Sequence, residues 1–385
     1  MTHKLMDMFR TCQALWLVAG LAVTGCKNGG GDFDAENAPY GERTAKTTNT
    51  FKLSMPGGTS ETISLSIAGQ KTIDGTTYNR WTAPVTTNSG TATFEYWTAE
   101  PNPDAIVIAG GSKDLTKTGV FDTPITLSFN PPVGETQTLS GSGVVTTPTY
   151  PGGSTVTGTV EYTLDETNVT VDTPAGQIHG VNHYCGNGTI DGDVVPAPFK
   201  GQPMTADLYY HPSYGIVAAS SPEAGFSVGI AESSDCGDVD DSGYRHIRKM
   251  GAVDGNTPFE LNTYDCAGNN FDADKNTHAA MLLELRWADE TQAKGSERPA
   301  AYPQCNVEFG TIMGIFPSDL TQSSVSILHP EENGKGFQYW YAYVNQAAKN
   351  EYGTGPIAYH VRVSCDSFVK SATRATARIY YKTAN

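Results

Sequence analysis

Between Phe51 and Glu232 apolar residues recur at every second position, and no stretch repeats them at helical spacing. A repeat of two fits a pleated strand with one face buried and the other wet. The segment Glu61 to Ile67 puts Ile63, Leu65 and Ile67 on one face, and Thr91 to Trp97 does the same for Phe94 and Tyr96. Ala105–Ala109 is a short apolar run, and Ile125–Phe129 alternates until Asn130-Pro131-Pro132 stops it. Val156–Leu164 and Val169–Val171 continue the pattern. Asp74-Gly75 lies between two such runs and predicts a two-residue hairpin turn, in which both central residues need positive φ. The expectation for 51–232 is one antiparallel β domain.

The text changes at Ser233. Residues 233–276 are rich in Asp, Gly and Asn and read as a hinge. From 277 to 385 a second set of strands is expected: His278–Trp287, the aromatic run Phe337–Val344, Tyr359–Cys365 and Ala375–Tyr381. Strands at this spacing suggest a β-sandwich, immunoglobulin-like in architecture, which by itself carries no function.

The N-terminus is of another kind. Lys4 and Arg10 precede an apolar run, Ala14–Val23, of about ten residues. A membrane-spanning helix needs about twenty, so the run is too short to cross a bilayer. It ends in Val23-Thr24-Gly25-Cys26, which resembles the bacterial lipobox. The resemblance implies that residues 1–25 are a signal peptide, that Cys26 carries acyl chains, and that 26–50 form a flexible tether beginning Lys27-Asn28-Gly29-Gly30-Gly31. Lys27, rather than Asp, after the cysteine implies placement at the outer membrane. The lipid is then the membrane partner, since each buried methylene contributes about 0.8 kcal/mol.

Charge and cysteines narrow the function classes. The net charge is −16, and nothing in the balance offers the basic surface that nucleic acid requires. An acidic chain does not dock electrostatically on anionic lipid either, which leaves the acylated cysteine as the expected attachment. Beyond Cys12 and Cys26, five cysteines remain: Cys185, Cys236, Cys266, Cys305 and Cys365. An export compartment permits disulfides, and an odd count leaves one cysteine over. The preferred pairs are Cys236–Cys266 and Cys305–Cys365 with Cys185 spare; the alternative is five reduced, packed thiols.

Three elements of the first domain are similar to an uncharacterised family of bacterial secreted and envelope proteins. They are Pro131-Pro132-Val133-Gly134, the strand running into Pro174-Ala175-Gly176-Gln177-Ile178, and Tyr209-Tyr210-His211-Pro212-Ser213-Tyr214-Gly215-Ile216-Val217. The resemblance covers roughly residues 50–232, with Ile178 in place of the usual Phe. It implies an antiparallel, curved sheet and supplies no activity.

Candidate chemistry is sparse. Asp238, Asp240 and Ser242 before Gly243 resemble the first half of a calcium loop, but the twelfth place holds Lys249 instead of a bidentate acid. Asp272 and Asp274 repeat the spacing without the glycine, so any calcium site would be irregular and shared between the two stretches. His179, His183 and Cys185 share one face of a regular strand, and imidazole with thiolate suits zinc or copper. Ser367-Phe-Val-Lys370 and Lys117-Thr-Gly119 match penicillin-enzyme motifs in reversed order, which excludes that reading. No zinc-protease motif or phosphate loop is present. The expected role is a non-catalytic binding or structural module with a protein or glycan partner. A carrier of an apolar ligand is the alternative, and a hydrolase with a fold-assembled site the third. An aromatic platform from the 337–344 strand, Tyr209, Tyr210, Tyr380 and Tyr381 would serve binding.

Overall fold

The turns are set by their own residues. Asp74 and Gly75 hold φ of 48° and 82°, the conformations of a type I′ turn, and Ile73 faces Thr76 across it. At Pro131-Pro132, the amide of Glu135 donates to Pro132 O at 3.0 Å and that of Gly134 to Leu164 O at 2.8 Å. The Thr173 hydroxyl donates to Gly176 O at 2.7 Å and accepts from the Ala175 amide at 3.2 Å, tying down the Pro174-Ala175 turn. Tyr214 N donates to His211 O at 3.1 Å, and Gly215, at φ 75°, completes the next reversal.

Between these turns the computed structural model shows strands only. It describes residues 48–382 apart from joining segments, of which 263–278, 288–304 and 345–356 are the longest. Twelve strands come first: β1 (Thr48–Met55), β2 (Thr59–Ile73), β3 (Thr76–Thr87), β4 (Gly90–Asn102), β5 (Ala105–Lys113), β6 (Lys117–Ser128), β7 (Thr136–Thr146), β8 (Ser154–Thr173), β9 (Gly176–Gly192), β10 (Met204–His211), β11 (Gly215–Ser221) and β12 (Phe226–Val239). Each pairs antiparallel with the next, and β12 pairs with β1, so they form a closed twelve-stranded barrel. The antiparallel strands expected from sequence are present, but they close into a barrel rather than forming the curved sheet that was expected. Glycines mark where it coils. Gly111 faces Gly119 and Gly141 faces Gly158 across strand pairs. A Cβ on Gly111 would lie 2.5 Å from Glu95 O, and one on Gly143 2.6 Å from Val120 O. Only glycine lets neighbouring backbones close up this far.

One face of the wall is apolar and filled. Phe51, Leu65, Trp81, Tyr96, Ile106, Leu164 and Ile178 are fully buried there. Trp81 stacks on Tyr96 at 5.9 Å and donates its indole N–H to the Thr98 hydroxyl at 3.1 Å. Phe129 stacks on Tyr210 at 4.3 Å and meets Tyr184 edge-on. The other face is rich in Ser and Thr, with Ser64, Ser66, Ser140, Ser142, Thr157 and Thr159 among them, and carries a separate apolar cluster of Tyr78, Trp97 and Ala109. Among the described residues the exposed large apolar side chains are Val133, Val144 and Tyr150.

By contact the chain divides into two units, 49–171 with 178–230, and 231–385 with 172–177. The second unit adds β13 (Tyr244–Ala252), β14 (Phe259–Asn262), β15 (Ala279–Trp287), β16 (Cys305–Met313), β17 (Phe316–Asp319), β18 (Val325–Pro330), β19 (Gly336–Val344), β20 (Ile357–Cys365) and β21 (Arg374–Lys382). The end of β12 pairs with β13, β13 with β21, β21 with β15, β15 with β19 and β19 with β18. A separate sheet runs β14-β20-β16-β17. Within the stretch expected as a hinge, the described residues 233–239, 244–252 and 259–262 are strand and pair. Its many Asp and Gly residues hide Ile247, Met250, Phe259 and Leu261, which are buried. Arg248 faces Arg378 across the β13–β21 pair, and both are buried. Burial, then the charge of Arg378, presses Arg248 well below its ordinary pKa.

Candidate functional site

Titratable side chains converge on the outer wall where β8, β9, β10 and β11 run side by side. Along β9, Tyr184 points into the barrel, so His183 and Cys185 point out. Asp207 on β10 stands directly opposite Cys185, and Tyr209 opposite His183. Ser220 on β11 stands opposite Asp207. Asp165, near the middle of β8, completes the group.

The distances are short. His183 Nε2 lies 3.1 Å from Asp207 Oδ1, and its Nδ1 lies 3.5 Å from Asp165 Oδ2. Cys185 Sγ is 3.8 Å from His183 Nε2 and 3.8 Å from Asp207 Oδ1. Ser220 Oγ donates to Asp207 Oδ2 at 3.5 Å. Tyr209 stacks flat on the imidazole, 4.6 Å between centroids and 12° between planes, which fixes the ring. The imidazole is mostly covered, while Asp165 is 60% and Asp207 36% exposed, so water reaches one side of the cluster.

Partial desolvation, then the charges of Asp165 and Asp207, pushes the Cys185 thiol above its ordinary pKa. The same burial and the neighbouring Asp207 and Cys185 raise Tyr209. This decides between two chemistries. Cys185, His183 and Asp165 lie in the order of a thiol, a base and its orienting acid. A nucleophilic thiol needs a lowered pKa, and here the neighbours act the other way. Asp207 also occupies the Nε2 side of the ring, where the thiol proton would have to go. The arrangement therefore disfavours covalent catalysis and leaves a set of ligand atoms: one imidazole, one thiol and two carboxylates.

A second feature lies on the same wall. A groove of about 470 Å³ runs across β6 to β9, lined by Thr123, Ser140, Ser142, Thr157, Thr159 and Asp191 among others. Ser142 is held by Asp122. Beside the groove, Lys200 Nζ reaches Asp193 at 3.1 Å and Asp191 at 3.8 Å.

The residues singled out by sequence fall in different places. Cys185 and His183 come together, and Cys185 is a free, exposed thiol. The side chain of His179 lies outside the described residues. So do Cys26, Cys266, Asp240, Ser242, Asp272 and Asp274, and the side chain of Asp238 at the end of β12. Lys249, at the twelfth place of that loop, sits in strand β13 and pairs with Glu232 at 3.4 Å, so no calcium-loop helix follows. Cys236 is buried. Cys305 on β16 stands directly opposite Cys365 on β20. Tyr209 and Tyr210 face opposite sides of the wall, which divides the expected aromatic platform. Sequence spacing gives no pointer to Asp165 or Asp207, which join the site only through strand register. Neither family models, nor curated proteins, nor solved structures give a match to this chain.

Proposed function

We propose that this chain is a lipid-anchored protein of the cell envelope, held at the outer membrane through Cys26, that works by non-catalytic binding on the outer wall of its barrel. The observation that carries the reading is the division of the wall into two faces. The inner face is occupied by its own side chains, Trp81, Tyr96 and Leu164 among them, whereas the groove and the ligand atoms lie on the polar face. A carrier of an apolar ligand would need the opposite, an apolar space inside. The hydroxyl-lined groove with Asp191 favours a polar partner, and a glycan fits it best, since Ser and Thr hydroxyls both donate and accept hydrogen bonds.

Two disulfides belong to the same proposal, Cys236–Cys266 and Cys305–Cys365. Directly opposed residues of an antiparallel pair have Cα atoms about 4.5–5.5 Å apart, within disulfide reach. The register of Cys305 and Cys365 supports that bridge. The second unit, with its separate four-stranded sheet, is compatible with a sandwich of immunoglobulin-like architecture.

The test joins anchor and ligand. A bacterial host is fed labelled palmitate, and the processed protein is purified in detergent, probed on a glycan array and weighed by native mass spectrometry. Label that disappears in Cys26→Ala, with glycan binding and no retained apolar ligand, is expected. Unchanged label in that variant would end the anchor reading, and a stoichiometric apolar ligand would favour the carrier.

A further inference from the structure

We propose that His183 Nε2, Cys185 Sγ and Asp207 Oδ1 form a three-ligand site for a divalent zinc-class ion on the outer wall of the barrel, with Asp165 as the residue that positions the imidazole. The three atoms lie at the corners of a triangle with edges of 3.1, 3.8 and 3.8 Å. A tetrahedral zinc ion bonds nitrogen and oxygen at about 2.0–2.1 Å and thiolate at about 2.3 Å, so its ligand atoms are separated by about 3.3 Å (N to O) and about 3.5 Å (to S). The triangle already matches these edges to within about 0.3 Å, and seating an ion needs only small side-chain shifts.

The surroundings suit the same role. Metal-bound histidines usually give their second ring N–H to a carboxylate, which fixes the tautomer and keeps the coordinating lone pair free. Asp165 Oδ2, 3.5 Å from Nδ1, stands in that place. Tyr209 holds the ring plane, and Ser220 holds the second oxygen of Asp207. The two carboxylates crowd negative charge against a thiol, an arrangement that a divalent cation offsets and an empty site does not. Imidazole, thiolate and carboxylate together select a borderline ion over calcium or magnesium, which prefer all-oxygen sites. The fourth position opens to solvent on the side of the exposed carboxylates, so water completes the shell. On binding, the Cys185 S–H bond breaks, sulfur keeps the electron pair and bonds the ion, and the proton goes to buffer.

The test uses the full processed chain in detergent, stripped with a chelator and titrated with Co²⁺ and Zn²⁺. One Co²⁺ per chain is expected, with a thiolate-to-cobalt charge-transfer band and the strong visible bands of a four-coordinate ion. About one proton should be released per Zn²⁺. Cys185→Ser should abolish the charge-transfer band. Asp165→Asn should keep the band and weaken Zn²⁺ binding by about 10–100-fold, as expected of a residue acting through the histidine. In the unaltered chain, saturating Zn²⁺ should protect Cys185 from iodoacetamide, read by peptide mass spectrometry, which decides the matter even if a variant misfolds. Absence of one-to-one Co²⁺ binding, a charge-transfer band that survives Cys185→Ser, or alkylation indifferent to Zn²⁺ would each overturn the proposal.

Discussion

Trp81 should be coupled to Thr98 more tightly than to any solvent-facing neighbour, and a double-mutant cycle measures this. Trp81 is 1% exposed and Thr98 0%, and the indole N–H donates to the hydroxyl at 3.1 Å between adjacent strands of the barrel. Trp81→Phe removes about 40 Å³ of ring, and at about 24 cal/mol per Å³ the cavity costs about 1 kcal/mol, with a transfer loss of about the same size. It also strands a buried hydroxyl, which adds about 1–3 kcal/mol. The total is about 3–5 kcal/mol. Thr98→Val strands the indole N–H instead and should cost about 1–3 kcal/mol. In the double variant neither group is stranded, so its cost should fall short of the sum by about 1 kcal/mol or more. Urea unfolding followed by far-ultraviolet circular dichroism reads all four proteins without relying on tryptophan fluorescence. Costs that add to within about 0.3 kcal/mol would refute the buried bond. A Trp81→Phe effect below about 0.5 kcal/mol, the size expected of a surface position, would place the indole in water and refute the inward face itself.

Three other outcomes follow from single residues. With chelator present, Asp207→Asn should speed alkylation of Cys185 near pH 8, because the carboxylate raises the thiol pKa; an unchanged rate would remove Asp207 from the thiol's surroundings. His246 has its pKa lowered to about 4, by burial first and then by Arg378. Above pH 6.5 neither state binds the proton; below it the unfolded state does and the folded state resists until about pH 4, so stability is lost as pH falls through that window. His246→Gln should flatten urea midpoints between pH 7 and pH 5, and an identical slope in both proteins would contradict the assignment. Gly143→Ala should destabilise the barrel by more than the roughly 0.5 kcal/mol of an ordinary surface change, since its Cβ would lie 2.6 Å from Val120 O; a thermal midpoint equal to that of the parent would show that β6 and β7 can part at no cost.

Local features of this fold were legible because they are written locally. The two-residue repeat marks strands such as β2, and Asp74-Gly75 fixes its hairpin within four residues. Closure was not legible, because it depends on β12 meeting β1 across most of the first domain, and no spacing encodes that. The stretch 233–262 was obscured in another way. Its strands carry charged residues such as Arg248 on buried positions, so composition reads as loop while backbone pairing holds sheet. Half of the ligand cluster was visible, since His183 and Cys185 are two apart on one strand. Asp165 and Asp207 come from the strands on either side, and only register reveals them.

Closure also bears on life in a crowded plane. A strand at the rim of an open sheet carries unused amide and carbonyl groups, and a like chain can add to it. Chains tethered to one surface by the proposed lipid would meet each other far more often than chains free in solution. A wall whose first strand bonds its twelfth offers no such rim around its circumference, so frequent encounters need not seed a growing ribbon. Crowding at the membrane then costs the barrel little, and its hydroxyl-covered side stays available for other partners.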